Sequence, residues 1–277
     1  MNILQEGFLA RILASGKVGN DAFFFVIKPI AILLCCVVVP YLLGSVNSAV
    51  IISTKRFRDD IRKHGSGNAG ATNMLRTFGG QGAIPTILGD ALKAALSMLI
   101  AGLCCGFWWV GGFSLQPGDP SLFVLSVGEV PIITGTYLAG AFCIIGHVFP
   151  VYYRFKGGKG VLCSFVVAAM LNLSVALVLL LVFVILVAFT RYVSLGSVVA
   201  AALYPVFMRP LFRISGAEPP IYITLFAFFI AAIIIYKHIP NIKRILDHEE
   251  SKISFRRKAN PTETDAGNDA GDDHDGK

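Results

Sequence analysis

The stretch "VLCSFVVAAMLNLSVALVLLLVFVILVAFT" (161–190) decides the fold class of this 277-residue chain, because 30 consecutive positions carry no charged residue. A helix needs about 20 apolar residues to cross the hydrocarbon core of a bilayer, which is roughly 30 Å thick. The stretch is therefore too long for one ordinary membrane span and short for two. We interpret it as two spans that turn near Asn172 and Ser174, where its polar residues are concentrated.

The chain as a whole has the same character, with 55% hydrophobic and only 15% charged residues and a mean hydropathy of +0.69. Within lipid a backbone must satisfy its own hydrogen bonds, so such apolar runs predict helices. We predict an all-α integral membrane protein with about seven transmembrane helices, at about 24–53, 81–111, 131–151, 161–174, 175–190, 193–210 and 219–237. One transmembrane domain (24–258) then lies between an amino-terminal extension (1–23) and a disordered acidic tail (259–277).

The charges of the loops support this count. Segments 53–80, 151–160, 191 and 237–258 hold 17 Lys and Arg residues, whereas 111–130 and 207–218 hold two. The positive-inside rule assigns the first group to the cytoplasm, and only a seven-span count with a turn near 172 puts all four on one side. This topology predicts an amino terminus outside the cell and a carboxyl terminus in the cytoplasm.

The net charge of +7 combines a basic membrane domain with a tail (261–277) that holds six acids and one lysine. In a membrane protein a basic excess indicates cytoplasmic loops, and we predict no nucleic-acid partner. The six cysteines lie in apolar stretches without the spacing of metal ligands, so we predict neither a metal site nor a cofactor: Cys35, Cys36, Cys104, Cys105, Cys143 and Cys163.

The first polar loop is "HGSGNAGATNMLR" (64–76), which follows Arg62. Glycines let backbone N–H groups converge, and the flanking arginines, Arg62 and the closing Arg76, offer bidentate forks, which together suit a phosphate. The alternative is a flexible glycine-rich loop without a ligand.

The second polar loop lies in "GHVFPVYYRFKGGKGV" (146–161), where Lys156 and Lys159 bracket two glycines just before a predicted helix. Backbone amides at a helix start and two ammonium groups predict another anion site. A Walker A loop would need Ser or Thr at the position of Gly160, so the loop does not indicate nucleotide triphosphate hydrolysis. Two snorkelling lysines at the membrane interface are the alternative.

Two pairs of polar residues have helical spacing. Asp90 and Lys93 lie one turn apart inside the second span, where ionisable residues are usually functional, although they could form a self-neutralising pair. His238 and Asn241 share one face where the last span ends, and the alternative is an ordinary basic membrane-exit helix.

These segments, in this order, resemble the bacterial acyl-phosphate:glycerol-3-phosphate acyltransferase family. The resemblance covers roughly 35–253 and rests on "GS" (44–45), "DIRKHGSGNAGATNMLR" (60–76), "GD-x-x-K" (89–93), "GHVFPVYYRFKGGKGV" (146–161), "H-x-x-N-I-x-R" (238–244) and "E-x-K" (250–252). It implies a seven-span enzyme of phospholipid synthesis in the bacterial inner membrane. Its substrates would be glycerol 3-phosphate and a fatty acyl phosphate, among membrane lipids, and its products 1-acylglycerol 3-phosphate and phosphate.

The resemblance also implies the site residues. The catalytic group comprises Ser45, Arg62, His238, Asn241 and Glu250. The substrate-binding group comprises Gly65, Ser66, Gly67, Asn68, Thr72, Asn73, Lys93, His147, Lys156, Gly157, Gly158, Lys159 and Gly160. Arg62 and the first loop would hold phosphate, and the second loop would close the same cavity. Ser45 is interpreted as a hydrogen-bonding orienter, with an acyl-carrying nucleophile as the alternative.

Four residues depart from the family pattern. Asn47 replaces a proline, and a residue with a side chain replaces a glycine at Arg58, Ala94 and His248. None of these changes removes a group that the chemistry needs, so we expect only local differences in backbone geometry and, at Asn47, in the wall of the site.

An acyl phosphate supplies its own activated carbonyl and leaving group, which suits loops rich in donors without a Ser-His-Asp or Cys-His constellation. No coenzyme A pocket is recognisable, and no histidine has an Asp five residues later, as a soluble-type glycerolipid acyltransferase requires. A phosphate or organophosphate transporter is the main alternative. It would place its charges in mid-bilayer, in broken helices of repeated halves, and no such repeat is visible.

Overall fold

The computed structural model describes residues 30, 33–105, 124–127, 130–214 and 221–253. The predicted amino-terminal extension and acidic tail lie outside these residues. The described helices are α1 (Val39–Ser45), α2 (Ser48–Phe57), α3 (Ala71–Cys105), α4 (Gly135–Val148), α5 (Val161–Leu171), α6 (Leu173–Thr190), α7 (Val193–Ile214) and α8 (Ile221–Leu246). A π-helical turn, Leu34–Val38, leads into α1, and 3₁₀ turns cover Ile61–Lys63 and Val151–Tyr153.

The prediction of a helical membrane protein is confirmed. Six helical segments in the described residues are long and apolar enough to cross a membrane, and α5, with 11 residues, is a shorter apolar helix. Large apolar side chains such as Leu88, Leu181 and Phe189 point outward, as lipid contact requires. One small antiparallel hairpin, β1 (Val124–Val127) with β2 (Val130–Thr134), precedes α4.

Several helix bounds differ from the prediction. Helix α3 begins at Ala71 instead of 81, so the second half of the first polar loop forms the first turns of a helix, which kinks at Gly79 (φ 64°). The third span begins at Gly135, because the four residues before it belong to β2. Helix α8 continues through Pro240 to Leu246, and it carries His238 and Asn241 on one face as predicted.

The predicted break in the long apolar stretch is confirmed at Asn172. Its backbone leaves the helical region (φ −155°, ψ 101°), and its side chain accepts a hydrogen bond from the Val175 N–H (3.1 Å), which caps α6. Lys159, just before α5, donates a hydrogen bond to Asn241. Ser194, at the start of α7 just after α6, donates to Glu250, and Asn241 donates to the same carboxylate. The beginning of α5 and the end of α6 therefore lie at the same end of the bundle, so the chain reverses at Asn172.

The core lies around α5, where buried residues of α3, α4, α7 and α8 converge. Helix α4 also packs tightly on α1 at Gly146, where a Cβ atom would lie 2.2 Å from the Tyr41 carbonyl oxygen. This contact leaves no room for a side chain, and it brings the "GS" motif of α1 beside α4.

Candidate functional site

A cavity of about 420 Å³ opens among α3, α5, α6, α7 and α8. Its lining has two parts, which we call the polar mouth and the apolar cleft. The polar mouth contains Ser66, Asn68, Thr72, Asn73, Arg76, Asp90, His147, Lys159, Gly160, Ser194, His238, Asn241 and Glu250. The apolar cleft contains Leu162, Phe165, Ala168, Ala176, Leu179, Leu180, Phe183, Ala200, Ala201, Tyr204, Ile230 and Ile234.

A hydrogen-bonded network around Glu250 joins four parts of the chain. Its Oε1 accepts from Ser194 Oγ (2.9 Å) and Asn241 Nδ2 (2.7 Å), and its Oε2 accepts from Arg244 Nε (2.8 Å). Lys159 Nζ donates to Asn241 Oδ1. Because a buried carboxylate needs such partners, the network fixes the end of α8 against the start of α7 and the second loop.

The network also sets the charges of the polar mouth. Burial works to raise the pKa of Glu250, but the hydrogen bonds from Arg244, Asn241 and Ser194 hold it below its ordinary value. Burial, helped by the charges of nearby Arg244 and Arg76 and opposed by that of Glu250, lowers the pKa of Lys159 to about 8. The mouth therefore holds an ionised Glu250 and an ammonium that titrates close to neutrality.

The first loop is held in shape by Asn73. Its Oδ1 accepts from the Ser66 N–H (3.2 Å), while its Nδ2 donates to the carbonyl oxygens of His64 (2.9 Å) and Ile61 (3.2 Å). Asn73 is almost completely buried, so the glycine-rich loop is a fixed structure rather than a flexible connection. The loop is therefore not the flexible connection that the alternative interpretation assumes, and its binding of an anion stays a prediction.

The two arginines that flank the first loop have different surroundings. Arg62 forms a fork with Asp60 (Nε to Oδ1 3.0 Å, Nη2 to Oδ2 2.7 Å), and this hydrogen bond lowers the pKa of Asp60 and raises that of Arg62. Arg62 is absent from the described lining of the cavity, whereas Arg76, which was not among the predicted site residues, is part of it. Arg76 also donates to the Ser251 carbonyl oxygen (2.7 Å).

The second loop lies directly on α4. A Cβ atom at Gly158 would lie 2.2 Å from Nε2 of His147, so only glycine allows this approach, and the Gly158 N–H donates to the His147 carbonyl oxygen (3.1 Å). The loop aims Lys159 at the polar mouth, whereas Lys156 is exposed and does not line the cavity.

A buried ionic cluster lies below the mouth. Lys93 Nζ contacts Asp90 Oδ1 (2.9 Å), His147 Nδ1 (2.9 Å) and the Val46 carbonyl oxygen (2.6 Å), while Ser48 donates to Asp90 (3.0 Å). Asp90 and His147 line the cavity, but Lys93 does not. Lys93 therefore neutralises Asp90 and links α3 to α4 and to the break between α1 and α2.

Ser45 lies outside the cavity lining. It is fully buried, and its Oγ accepts from the Val151 N–H (3.4 Å). The position fits an orienting role between α1 and the second loop better than that of an acyl-carrying nucleophile, which would need to reach the substrate.

His238 has a defined tautomer. Its Nδ1 lies 2.7 Å from the Ile234 carbonyl oxygen and must donate to it, since a carbonyl can only accept. In the neutral ring Nε2 is then an acceptor, which is the state needed to take a hydrogen bond from a hydroxyl group.

The cavity lining divides the predicted site residues. It includes Ser66, Asn68, Thr72, Asn73, His147, Lys159, Gly160, His238, Asn241 and Glu250. It does not include Ser45, Arg62, Gly65, Gly67, Lys93, Lys156, Gly157 and Gly158, which shape or support the loops around it. In the described part of the chain no group of three or more His, Cys, Asp or Glu side chains could hold a metal ion.

The predicted site residues did not include Arg76 or Ser194. Arg76 lies four residues after Thr72, so a helix starting at Ala71 would have placed both on one face. Ser194 forms an i,i+3 pair with Ser197 in the otherwise apolar first half of α7, which was the available signal.

Three of the four departures from the family pattern have structural explanations, and nothing in the structure explains the fourth, Ala94. Asn47 caps α2 by accepting from the Val50 N–H (3.1 Å), and it does not form a wall of the cavity. Arg58 and His248 have left-handed backbones (φ 54° and 58°), the conformation that glycine adopts without strain. Ala94 is fully buried inside α3.

Comparisons with known proteins agree in one family. A family model described as glycerol-3-phosphate acyltransferase matches residues 34–248. The chain is 36% identical over 221 residues to the glycerol-3-phosphate acyltransferase of Clostridioides difficile (strain 630), which covers 80% of this chain and 95% of that protein. It is 34% identical over 234 residues to that of Paraburkholderia phytofirmans, with 84% and 97% covered.

Similar solved structures come from the same family of acyltransferases. Two crystal structures of PlsY (YgiH), an integral membrane glycerol 3-phosphate acyltransferase, have a TM-score of 0.62 to this chain at 29% identity. One is the glycerol 3-phosphate form, which covers 82% of this chain and 96% of its own. The other is the lysophosphatidic acid form, with 80% and 95% covered.

Proposed function

Because this chain belongs to the glycerol-3-phosphate acyltransferase family, we propose that its cavity transfers a fatty acyl group from an acyl phosphate to the 1-hydroxyl of glycerol 3-phosphate. The products are 1-acylglycerol 3-phosphate, a lysophosphatidic acid, and inorganic phosphate. The glycerol 3-phosphate and lysophosphatidic acid forms of the homologous PlsY support this acceptor and this product.

The observation that carries the proposal is the continuity of the two parts of the cavity. The polar mouth holds two cations, Arg76 and Lys159, together with the loop that Asn73 fixes, and it opens directly into the apolar cleft. A phosphate ester needs the first environment and an acyl chain the second. A molecule that joins phosphate to a long chain, as both the donor and the product do, fits only where the two environments meet.

Binding of phosphate uses groups from two loops. Ser66, Asn68 and Thr72 offer short donors in the first loop and at the start of α3, and Arg76 and Lys159 offer positive charge. Asn241 engages one of the three donors of the Lys159 ammonium, and the other donors of that group can reach phosphate. Two phosphates must bind during one turnover, which explains the need for two cationic loops.

The chemical step needs little from the protein beyond positioning and charge. The 1-hydroxyl oxygen attacks the carbonyl carbon of the acyl phosphate, the bond from carbon to the phosphate oxygen breaks, and inorganic phosphate leaves. His238 lines the mouth with Nε2 as acceptor, so it orients the hydroxyl group and accepts its proton. Asn241, held by Glu250, orients the glycerol moiety on the same helical face.

The membrane orientation is part of the proposal. The polar mouth, the basic loops and the carboxyl terminus lie on the cytoplasmic side of the bacterial inner membrane, with the amino terminus outside. The charge difference between the loops of the two sides supports this orientation.

The decisive experiment supplies purified protein with glycerol 3-phosphate and a long-chain acyl phosphate. We expect equal amounts of inorganic phosphate and 1-acylglycerol 3-phosphate, with unchanged rates after chelation of divalent ions. Comparable rates with acyl-coenzyme A would contradict the choice of donor. Uptake of labelled glycerol 3-phosphate into proteoliposomes without acylation would instead establish the transporter.

A further inference from the structure

The apolar cleft ends at one layer of side chains. Its deepest lining residues are Ala168 on α5, Ala176 on α6, Tyr204 on α7 and Ile230 on α8, which we call the floor layer. One turn further along three of these helices, Leu171, Met208 and Ala227 are buried in the core and do not line the cavity. The floor layer therefore closes the cleft.

Tyr204 has a side chain unlike the others in the floor layer. It is 2% exposed, and its hydroxyl has no hydrogen-bond partner among the described residues. Buried hydroxyl groups usually have a partner, and an unpaired one does not anchor a fold. What Tyr204 contributes at this position is thus the size of its ring, between small residues on α5 and α6.

The depth of Tyr204 matches an acyl chain. Ten residues of α7 separate it from Ser194 in the polar mouth, which corresponds to about 15 Å of helix. The hydrocarbon core of a bilayer is roughly 30 Å thick, so Tyr204 lies at about the depth that the chain of one leaflet reaches. A chain whose phosphate end lies in the mouth would bring its methyl end to the floor layer.

We propose that Tyr204 sets the longest acyl chain that this enzyme accepts, because its ring meets the methyl end of the donor chain at the floor of the cleft. The inference rests on the proposed acyl transfer and adds a specificity-determining residue to it. Ala168 and Ala176 are already small, and Ile230 is smaller than tyrosine, so the ring of Tyr204 is the largest side chain of the floor.

The test measures kcat/KM for a series of saturated acyl phosphates of increasing length. Tyr204→Ala should move the optimum to longer chains, and we expect about a tenfold gain, relative to wild type, for a donor just beyond the wild-type limit. Tyr204→Phe is the matched control, because it keeps the ring and removes only the unpaired hydroxyl. It should keep the wild-type optimum.

A second variant makes the test independent of how well Tyr204→Ala folds. Ala201 lines the cleft one turn above Tyr204 on α7, so Ala201→Leu should move the optimum to shorter chains. A wild-type optimum in active Tyr204→Ala would overturn the inference, and so would a wild-type optimum in Ala201→Leu or an equal shift in Tyr204→Phe. If the wild-type protein shows no turnover with any acyl phosphate, it is the proposed function that fails.

Discussion

Residues of the same type in this site differ in whether they can bind a phosphate, because their surroundings differ. Arg62 and Arg76 flank the same loop, but Arg62 is engaged by Asp60 whereas Arg76 lines the cavity. Lys156 and Lys159 flank the same glycine pair, but only Lys159 lies in the polar mouth. Position in the cavity, and for Arg62 also its ion pair with Asp60, decides which cation is available for a phosphate.

The two arginines give a matched test of this conclusion. Arg76→Ala should raise KM for glycerol 3-phosphate or the acyl phosphate by roughly 10- to 150-fold, because a charge-assisted hydrogen bond is worth about 1.5–3 kcal/mol. The sequence alone predicts a similar loss for Arg62→Ala, but its ion pair with Asp60 leads us to expect a much smaller change. Steady-state kinetics of both variants decide, and a normal KM in Arg76→Ala would exclude it from phosphate binding.

Lys159 predicts a dependence on pH. Its pKa is lowered to about 8, so the ammonium is present below that pH and is lost as the pH rises through it. We therefore expect kcat/KM to fall above about pH 8, because binding of the anionic substrate weakens. Lys159→Arg keeps a positive charge at all these pH values, so its kcat/KM should not fall above pH 8. The control variant Lys156→Ala should show the same alkaline fall of kcat/KM as the wild type. An unchanged alkaline fall in Lys159→Arg would assign the titration to another group.

At the scale of the elements, breaks between helices bring polar groups into the site. The turn at Asn172 reverses the chain, so that the beginning of α5 and the end of α6 share one end of the bundle. The early start of α3 puts Thr72 and Arg76 on one helical face. Each break has a local hydrogen-bonding cause, as the side-chain cap of Asn172 illustrates.

The cap at Asn172 can be tested by substitution. Asn172→Ala removes the acceptor of the Val175 N–H, which should cost about 1 kcal/mol and lower the melting temperature in detergent by about 2–4 °C. Asn172→Ser keeps a capping oxygen, so its melting temperature should lie closer to that of the wild type. If both variants melt at the wild-type temperature, the cap contributes nothing to stability.

At the scale of the whole molecule, the polar side chains of the site are gathered at one end of an apolar helical bundle. The described polar loops meet at one end, and the apolar cleft leads from them into the bundle. This arrangement lets water-soluble and lipid-soluble substrates meet at the membrane surface. It also predicts which side of the membrane each segment faces.

The orientation can be measured with Lys156→Cys. Lys156 is exposed in the second loop, whereas the described cysteines lie within apolar helices. A membrane-impermeant maleimide should label this variant in inside-out vesicles and not in intact spheroplasts, with the wild-type chain as background control. The opposite pattern would reverse the proposed topology.

The acidic tail is expected to be dispensable. Its composition cannot form a packed core, and its negative charge would repel anionic substrates from the site. A chain that ends at residue 258 should keep wild-type kcat/KM at an equal amount of membrane-inserted protein. Loss of activity without loss of insertion would assign the tail a direct role.

The sequence by itself determined the helical membrane class and the turn at Asn172. Hydrophobic length and hydrogen-bonding capacity are properties of contiguous segments, so they can be read without knowing the packing. It also identified the loops that meet at the polar mouth, since short polar clusters stand out in an apolar chain. Helix bounds were less accurate, because at Ala71 the glycines and polar residues of the loop continue into the helix.

Only the tertiary structure decided which of these polar residues enter the cavity. Ser194 and Glu250 are 56 positions apart, and Lys159 and Asn241 are 82 apart, so their contacts follow from the packing of the helices rather than from local spacing. The same packing places Arg76 in the lining and leaves Arg62 with Asp60. The packing of the helices also puts Tyr204 at the floor of the cleft. The depth of the cleft is set by where side chains of several helices come into contact and close it, and the sequence of one helix does not show this.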